Sequence, residues 1–129
     1  IKTLLGRKRR FNMWEPRDSW GEKAYSLSEA YSHYPKQELK RAYTHTALNA
    51  LIQGSSADIT KSAMIKIYEA GLLDEIDLKL TIHDELDFSI PRNKQKCFEE
   101  ALQIMKTCVK LKVPLKVDVE KGDNWGNAK

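Results

Sequence analysis

Leu78-Lys79-Leu80-Thr81-Ile82-His83-Asp84-Glu85-Leu86-Asp87-Phe88-Ser89-Ile90 alternates apolar and polar residues on either side of a short acidic break. Period-two alternation marks a half-buried strand. The stretch therefore predicts a β-hairpin with Leu78, Leu80, Ile82, Leu86, Phe88 and Ile90 on one buried face and His83-Asp84-Glu85 at the tip. The adjacent carboxylates of Asp84 and Glu85 repel each other, and a cation at the tip relieves that repulsion. Mg²⁺ suits such a place, because it takes one or two protein carboxylates and keeps water or phosphate oxygens for its other positions. On strict alternation Asp84 shares parity with Leu80, Ile82, Leu86 and Phe88, whereas Glu85 shares it with Thr81 and Asp87, so the two need not bind equally. Taken alone, the same three residues also fit an ordinary solvated turn, with His83 a hydrogen-bonded structural residue.

Upstream of the hairpin, apolar residues recur at helical spacing through Leu48, Leu51, Ile52, Ile59, Ala63 and Ile67, predicting a long helix from about Gln37 to Ala70. Gly54-Ser55-Ser56 marks a kink or a close-packing point in it, and Gly71 ends it. His45, Asn49 and Gln53, spaced at i, i+4 and i+8, form one polar stripe on that helix. Uncharged amides both donate and accept hydrogen bonds, so they suit the DNA minor groove, where A·T and G·C pairs look nearly alike. A solvent-facing polar stripe is the plainer alternative. Downstream, Pro91 and Asn93 open a second amphipathic helix running to about Leu111 through Phe98, Ala101, Leu102, Met105 and Val109. Leu115, Val117 and Val119 predict a final strand. The order of hairpin, helix, hairpin, helix and strand gives an α+β fold, with helices covering one face of an antiparallel sheet.

At the other end, Lys2 to Leu5, Gly6 and the basic run into Phe11 predict a hairpin turning at Gly6. Arg7, Arg9 and Arg10 on it suit phosphates, which Arg grips with two bonds, although a solvated charge run looks the same in sequence. Trp14 to Pro35, with Trp14, Trp20, Tyr25, Tyr31 and Tyr34, lacks a sustained period and reads as an inserted loop with one short helix; its rings could stack on bases or simply pack together. Charge is uneven. Residues 1–45 hold ten Lys or Arg against five Asp or Glu, the remainder twelve against thirteen, for a net +4 over 129 residues. A basic edge on a near-neutral body suits a polyanion. Cys97 and Cys108 lie three helical turns apart, too far to pair, and fit a reducing compartment such as the cytosol. No apolar run approaches the roughly 20 residues of a membrane span. The chain opens on Ile1 rather than Met, so a cut or processed chain is expected, and its length is that of one domain.

Four stretches in order resemble family A DNA polymerases: Thr3-Leu4-Leu5-Gly6-Arg7-Lys8-Arg9-Arg10-Phe11, Asn49-Ala50-Leu51-Ile52-Gln53-Gly54-Ser55-Ser56-Ala57-Asp58, Ile82-His83-Asp84-Glu85-Leu86, and Val113-Pro114-Leu115-Lys116-Val117 with Gly122-Asp123-Asn124-Trp125. The likeness covers nearly all of the chain except about residues 12–40, which read as an insertion. It implies the C-terminal part of a right-hand polymerase: an antiparallel palm sheet whose catalytic hairpin packs against long helices, with the base of the fingers. By that resemblance Asp84 is one of two palm aspartates holding a pair of Mg²⁺ ions, the single metal ligand from this chain, and Glu85 is a supporting catalytic carboxylate. His83 approaches the primer end, Asn49 and Gln53 touch the minor groove of the nascent duplex, and Arg7, Arg9 and Arg10 lie along the DNA backbone. The expected partners are primer–template DNA and a deoxynucleoside triphosphate. His45 stands where the family often has Arg, although phage members can carry His, and its side chain has a shorter reach to DNA than Arg.

The resemblance places the other metal-binding aspartate and the nucleotide-binding fingers helix upstream of this chain. Polymerisation is therefore expected only together with a separate or upstream N-terminal segment, in the cytoplasm of a cell or of a phage host. Three alternatives remain at this stage. One is a Mg²⁺-dependent nuclease recruiting Asp87 or Asp58 to Asp84 and Glu85. The second is a DNA-binding module without catalysis. The third is a related single-subunit RNA polymerase, which usually differs at Gln53-Gly54.

Overall fold

The computed structural model describes residues 1–18 and 21–128; Trp20 lies outside the described residues. The chain divides into two compact units, Ile1–Ser56 and Ala57–Lys129. The expected α+β class holds: the described residues form three α-helices and two separate two-stranded antiparallel sheets.

In the first unit, the N-terminal residues turn tightly at Gly6, whose φ of +90° is left-handed and open to glycine. Only an isolated bridge joins Lys2 to Lys8, and the Arg9 amide donates to the Ile1 carbonyl at 3.0 Å. The stretch read as a loop is more ordered than that. Strand β1 (Trp14–Pro16) pairs antiparallel with β2 (Leu39–Arg41), and helix α1 (Leu27–His33) lies between them in sequence. Trp14 serves two partners: its backbone exchanges hydrogen bonds with Tyr25, and the Arg41 guanidinium sits 4.8 Å above its ring. Ser26 and Glu29 close a capping box at the start of α1, and the Ser26 hydroxyl and amide hold the Glu29 carboxyl below its ordinary range.

That pairing corrects the start of the long helix. Leu39–Arg41 are used as strand, and Tyr43, at φ +60°, turns the chain before a 3₁₀ turn at Thr44–Thr46. Helix α2 therefore runs from Ala47 to Glu69 rather than from Gln37 to Ala70. It continues unbroken through Gly54, and Gly71, at φ +71°, ends it as expected.

In the second unit, strands β3 (Asp77–Ile82) and β4 (Glu85–Ser89) form the expected hairpin. The ladder pairs Leu78 with Phe88, then skips a residue, so that Leu80 faces Asp87, Thr81 faces Leu86 and Ile82 faces Glu85. A bulge of this kind flips every residue beyond it to the other side. The single apolar face read from the alternation is thus corrected. Thr81 joins Leu78, Leu86 and Phe88, and its hydroxyl reaches the Met64 sulfur of α2 at 3.8 Å. Leu80 and Ile82 join Glu85 and Asp87 on the opposite side, 39% and 47% exposed. The core holds Ile67 of α2, Leu72, Ile76 and Ala101, with Leu86, Phe88, Ile90, Cys97, Ile104 and Met105 against it.

Helix α3 spans Gln95–Thr107, shorter at both ends than the predicted 91–111. The Cys108 carbonyl just beyond it accepts from Lys66 Nζ at 2.8 Å and Ser62 Oγ at 3.3 Å, which satisfies an otherwise open helix end. Both cysteines are free, and burial pushes the Cys108 thiol up. The final strand through Leu115, Val117 and Val119 is not formed: no ladder partner pairs with it among the described residues.

Two stability measurements check this arrangement. Ile67 is fully buried while Ile65 is 56% exposed. In urea unfolding Ile67→Ala is expected to lose about 2–5 kcal/mol, the range for a buried Ile truncated to Ala, and Ile65→Ala less than about 0.5 kcal/mol, as for surface changes. Equal losses contradict the packing. The tip supplies the second: His83 sits at φ +54°. His83→Gly is expected to raise stability by up to about 1 kcal/mol and His83→Val, β-branched, to lower it by about 1–3 kcal/mol. Indistinguishable effects would mean that the turn is not left-handed there.

Candidate functional site

The hairpin tip is built by its sequence neighbours. Ile82 and Glu85 are the last paired residues, so His83 and Asp84 alone make the connection. Two-residue connections of this type need a positive φ at their first central position, which glycine usually supplies. Here His83 supplies it, a sparsely populated conformation for a side chain of its size. Asp84 follows it at the apex and Glu85 opens β4, and His83, Asp84 and Glu85 are all exposed.

Alternation along β4 decides which way Glu85 faces, and the bulge in β3 brings Leu80 and Ile82 to the same side. With Leu86 and Phe88 turned to the core, Glu85 and half-buried Asp87 share the open face with Ile82 and Leu80. Asp84, expected on the Leu80 and Ile82 parity, belongs to neither face because it lies in the turn. Among the described residues no group of three or more His, Cys, Asp or Glu is arranged to hold a metal ion. Hard carboxylate oxygens on an exposed tip fit a cation that completes its shell with water and phosphate oxygens, and do not fit a closed protein cage. Asp58, which a nuclease reading recruits, is buried on α2.

The other predicted residues fall in the first unit. Asn49 and Gln53 lie one turn apart on α2, both exposed. His45 is exposed as well, but stands on the 3₁₀ turn before α2 and so precedes the helical stripe rather than belonging to it. Leu48 and Ile52, 67% and 61% exposed, flank the two amides. Arg9 and Arg10 are exposed on the basic hairpin, Arg9 lying 5.8 Å above the Phe11 ring. Arg7 is differently placed: its Nη2 donates to the Gly54 carbonyl of α2 at 2.7 Å.

Sequence reading missed Thr3 and Ser55. Thr3 is buried, its hydroxyl accepts from the Arg7 amide at 3.0 Å, and Ser55 Oγ accepts from the Leu4 amide at 3.0 Å. The available signal was Gly54 itself. A Cβ there would meet the Thr3 methyl at 2.7 Å, so the expected close-packing point is real and the hairpin occupies it. No helix among the described residues is long and apolar enough to cross a membrane.

Residues 1–127 match DNA polymerase family A. The chain is 45% identical over 104 residues to a DNA-directed DNA polymerase of Pseudomonas phage M6, covering 80% of this chain and 15% of that protein. It is 40% identical over 103 residues to DNA polymerase theta of Drosophila melanogaster, covering 72% of this chain and 5% of that protein. Against DNA polymerase I of Synechocystis sp. the identity is 36% over 136 residues, covering 100% of this chain and 13% of that protein. The chain therefore spans only a small part of the length of these relatives. No solved structure matches it. With nearly its whole length matched, and the four resembling stretches inside the match, the chain belongs to DNA polymerase family A.

Proposed function

We propose that this chain is the C-terminal palm portion of a DNA-directed DNA polymerase, with residues 12–40 as an insertion. It works with a separate or upstream segment that carries the other catalytic aspartate and the fingers helix. The observation that carries this reading is the two-residue tip, which presents Asp84 at its apex with Glu85 beside it, within a family A sequence. The substrates are primer–template DNA and a deoxynucleoside triphosphate, and the location is cytoplasmic.

In this reading Asp84 is the one residue of this chain that holds Mg²⁺. Two bound Mg²⁺ ions would supply stabilisation of charge on the attacking and leaving oxygens of nucleotidyl transfer. Glu85, held on β4 by its pairing with Ile82, orders the water around the tip and keeps the local potential negative. His83, fixed by its left-handed turn, lies toward the primer end. A rigid hairpin matters because transfer depends on holding the reacting groups in line, and loose carboxylates lose that alignment. Asn49 and Gln53 donate to minor-groove acceptors shared by all four base pairs, which registers pair geometry without reading sequence. Arg9 and Arg10 run along the phosphates, and His45 contacts the duplex more weakly.

Primer extension by a chimera tests this, with this chain replacing the matching segment of the phage M6 polymerase. The chimera is expected to extend a primer with Mg²⁺, and this chain alone is not. Asp84→Asn in the chimera is expected to cost more than about 100-fold in rate, the upper end for losing a mere second-shell partner of a metal, with DNA affinity nearly unchanged. Glu85→Gln is expected to cost less. An Asp84→Asn chimera as fast as its parent contradicts the assignment.

A further inference from the structure

Arg7 departs from the simple picture of a basic hairpin lying along DNA. Arg7 is exposed, yet its guanidinium donates to the Gly54 carbonyl at 2.7 Å, and a further hydrogen bond ties the hairpin to the same turn of α2, supported by one bond within the hairpin and one within the helix. The Thr3 hydroxyl accepts from the Arg7 amide, the Leu4 amide donates to Ser55 Oγ, and Ser55 Oγ donates to the Leu51 carbonyl at 2.7 Å. The Thr3 methyl fills the space where a Gly54 side chain would stand. Gly54-Ser55-Ser56 is the poorest helix-forming stretch of α2, and such a sequence commonly bends. The helix nevertheless continues unbroken through it. Successive helix residues point about 100° apart, so a hairpin seated on Gly54 leaves the neighbouring Gln53 exposed while preventing the helix from rolling beneath it.

We propose that Arg7 is a positioning residue: it does not grip a phosphate but locks the weak turn of α2, so that the Gln53 amide is aimed at the minor groove. The inference rests on the reading of Gln53 given under Proposed function. The test is duplex binding by this full chain, followed by fluorescence anisotropy. It compares natural primer–template with one carrying 3-deazapurines, which lack the minor-groove N3 acceptor, at the terminal pairs. Wild type is expected to bind the 3-deaza duplex about three- to tenfold more weakly, the worth of one hydrogen bond. Gln53→Ala abolishes that difference.

Arg7→Ala is expected to abolish the difference too, while leaving the dependence of log K on log salt unchanged. Gly54→Ala, which drives a Cβ into the Thr3 methyl, gives the same loss. Adding Thr3→Ser, which removes the methyl and keeps the hydroxyl, restores it. That pair decides the matter if Arg7→Ala lacks the wild-type helical circular dichroism. Retention of the difference in Arg7→Ala, with the salt slope reduced by about 0.9, makes Arg7 a phosphate contact and overturns the proposal. Failure to restore the difference with Thr3→Ser in a folded protein overturns it as well. A wild type that does not distinguish the two duplexes removes the Gln53 reading itself, and the inference with it.

Discussion

Leu86 and Phe88 have to bury against Ile67, Leu72, Ile76 and Ala101, and that requirement decides where the rest of the hairpin points. β4 has strict alternation, so turning those two side chains inward turns Glu85 and Asp87 outward. β3 then meets β4 with one residue to spare, absorbed as a bulge between Leu78 and Leu80. The result is a strand pair anchored on one side by packing and left open, with an acidic tip, on the other. At the tip itself the Ile82–Glu85 pairing closes the ladder. Apolar burial several residues away fixes the face of β4, and Asp84 and Glu85 remain exposed.

The same logic governs the basic end of the chain. A glycine in a helix ordinarily weakens it, yet Gly54 admits the Thr3 methyl and lets the N-terminal hairpin seat directly on α2. The stretch of the helix with the poorest propensity is thereby bonded to the hairpin by Arg7 and Leu4. Local sequence cost is offset by a contact that only the small residue permits. Arg7 of the basic run, exposed like Arg9 and Arg10, can thereby bond to the helix backbone.

Much of this was legible in the residues, and the failures have identifiable causes. The β3–β4 hairpin, the end of α2 at Gly71 and the close approach at Gly54 were each written in alternation or in glycine placement. The bulge was not, because Leu78, Leu80 and Ile82 alternate perfectly and only the pairing with β4 breaks their parity. The start of α2 was misplaced because Leu39–Arg41 carry no strand signature of their own. Their conformation comes from pairing with Trp14–Pro16, more than twenty residues earlier, which no local window contains. The strand at 115–119 was expected from its alternating apolar residues and from the family resemblance, and alternation without a partner does not make a ladder. For the site, residue types and their order pointed to Asp84, Glu85, Asn49 and Gln53. Geometry then separated His45 from the stripe and Arg7 from its basic neighbours.

The account turns on the hairpin tip as a cation site, and manganese broadening of backbone amide signals tests that most directly. Mn²⁺ would be titrated into the isotope-labelled full chain with primer–template DNA present. The account predicts that signals of residues 83–86 broaden first and that Asp84→Asn removes the effect while the remaining spectrum is unchanged. Broadening centred elsewhere, or unaltered by Asp84→Asn, would contradict it.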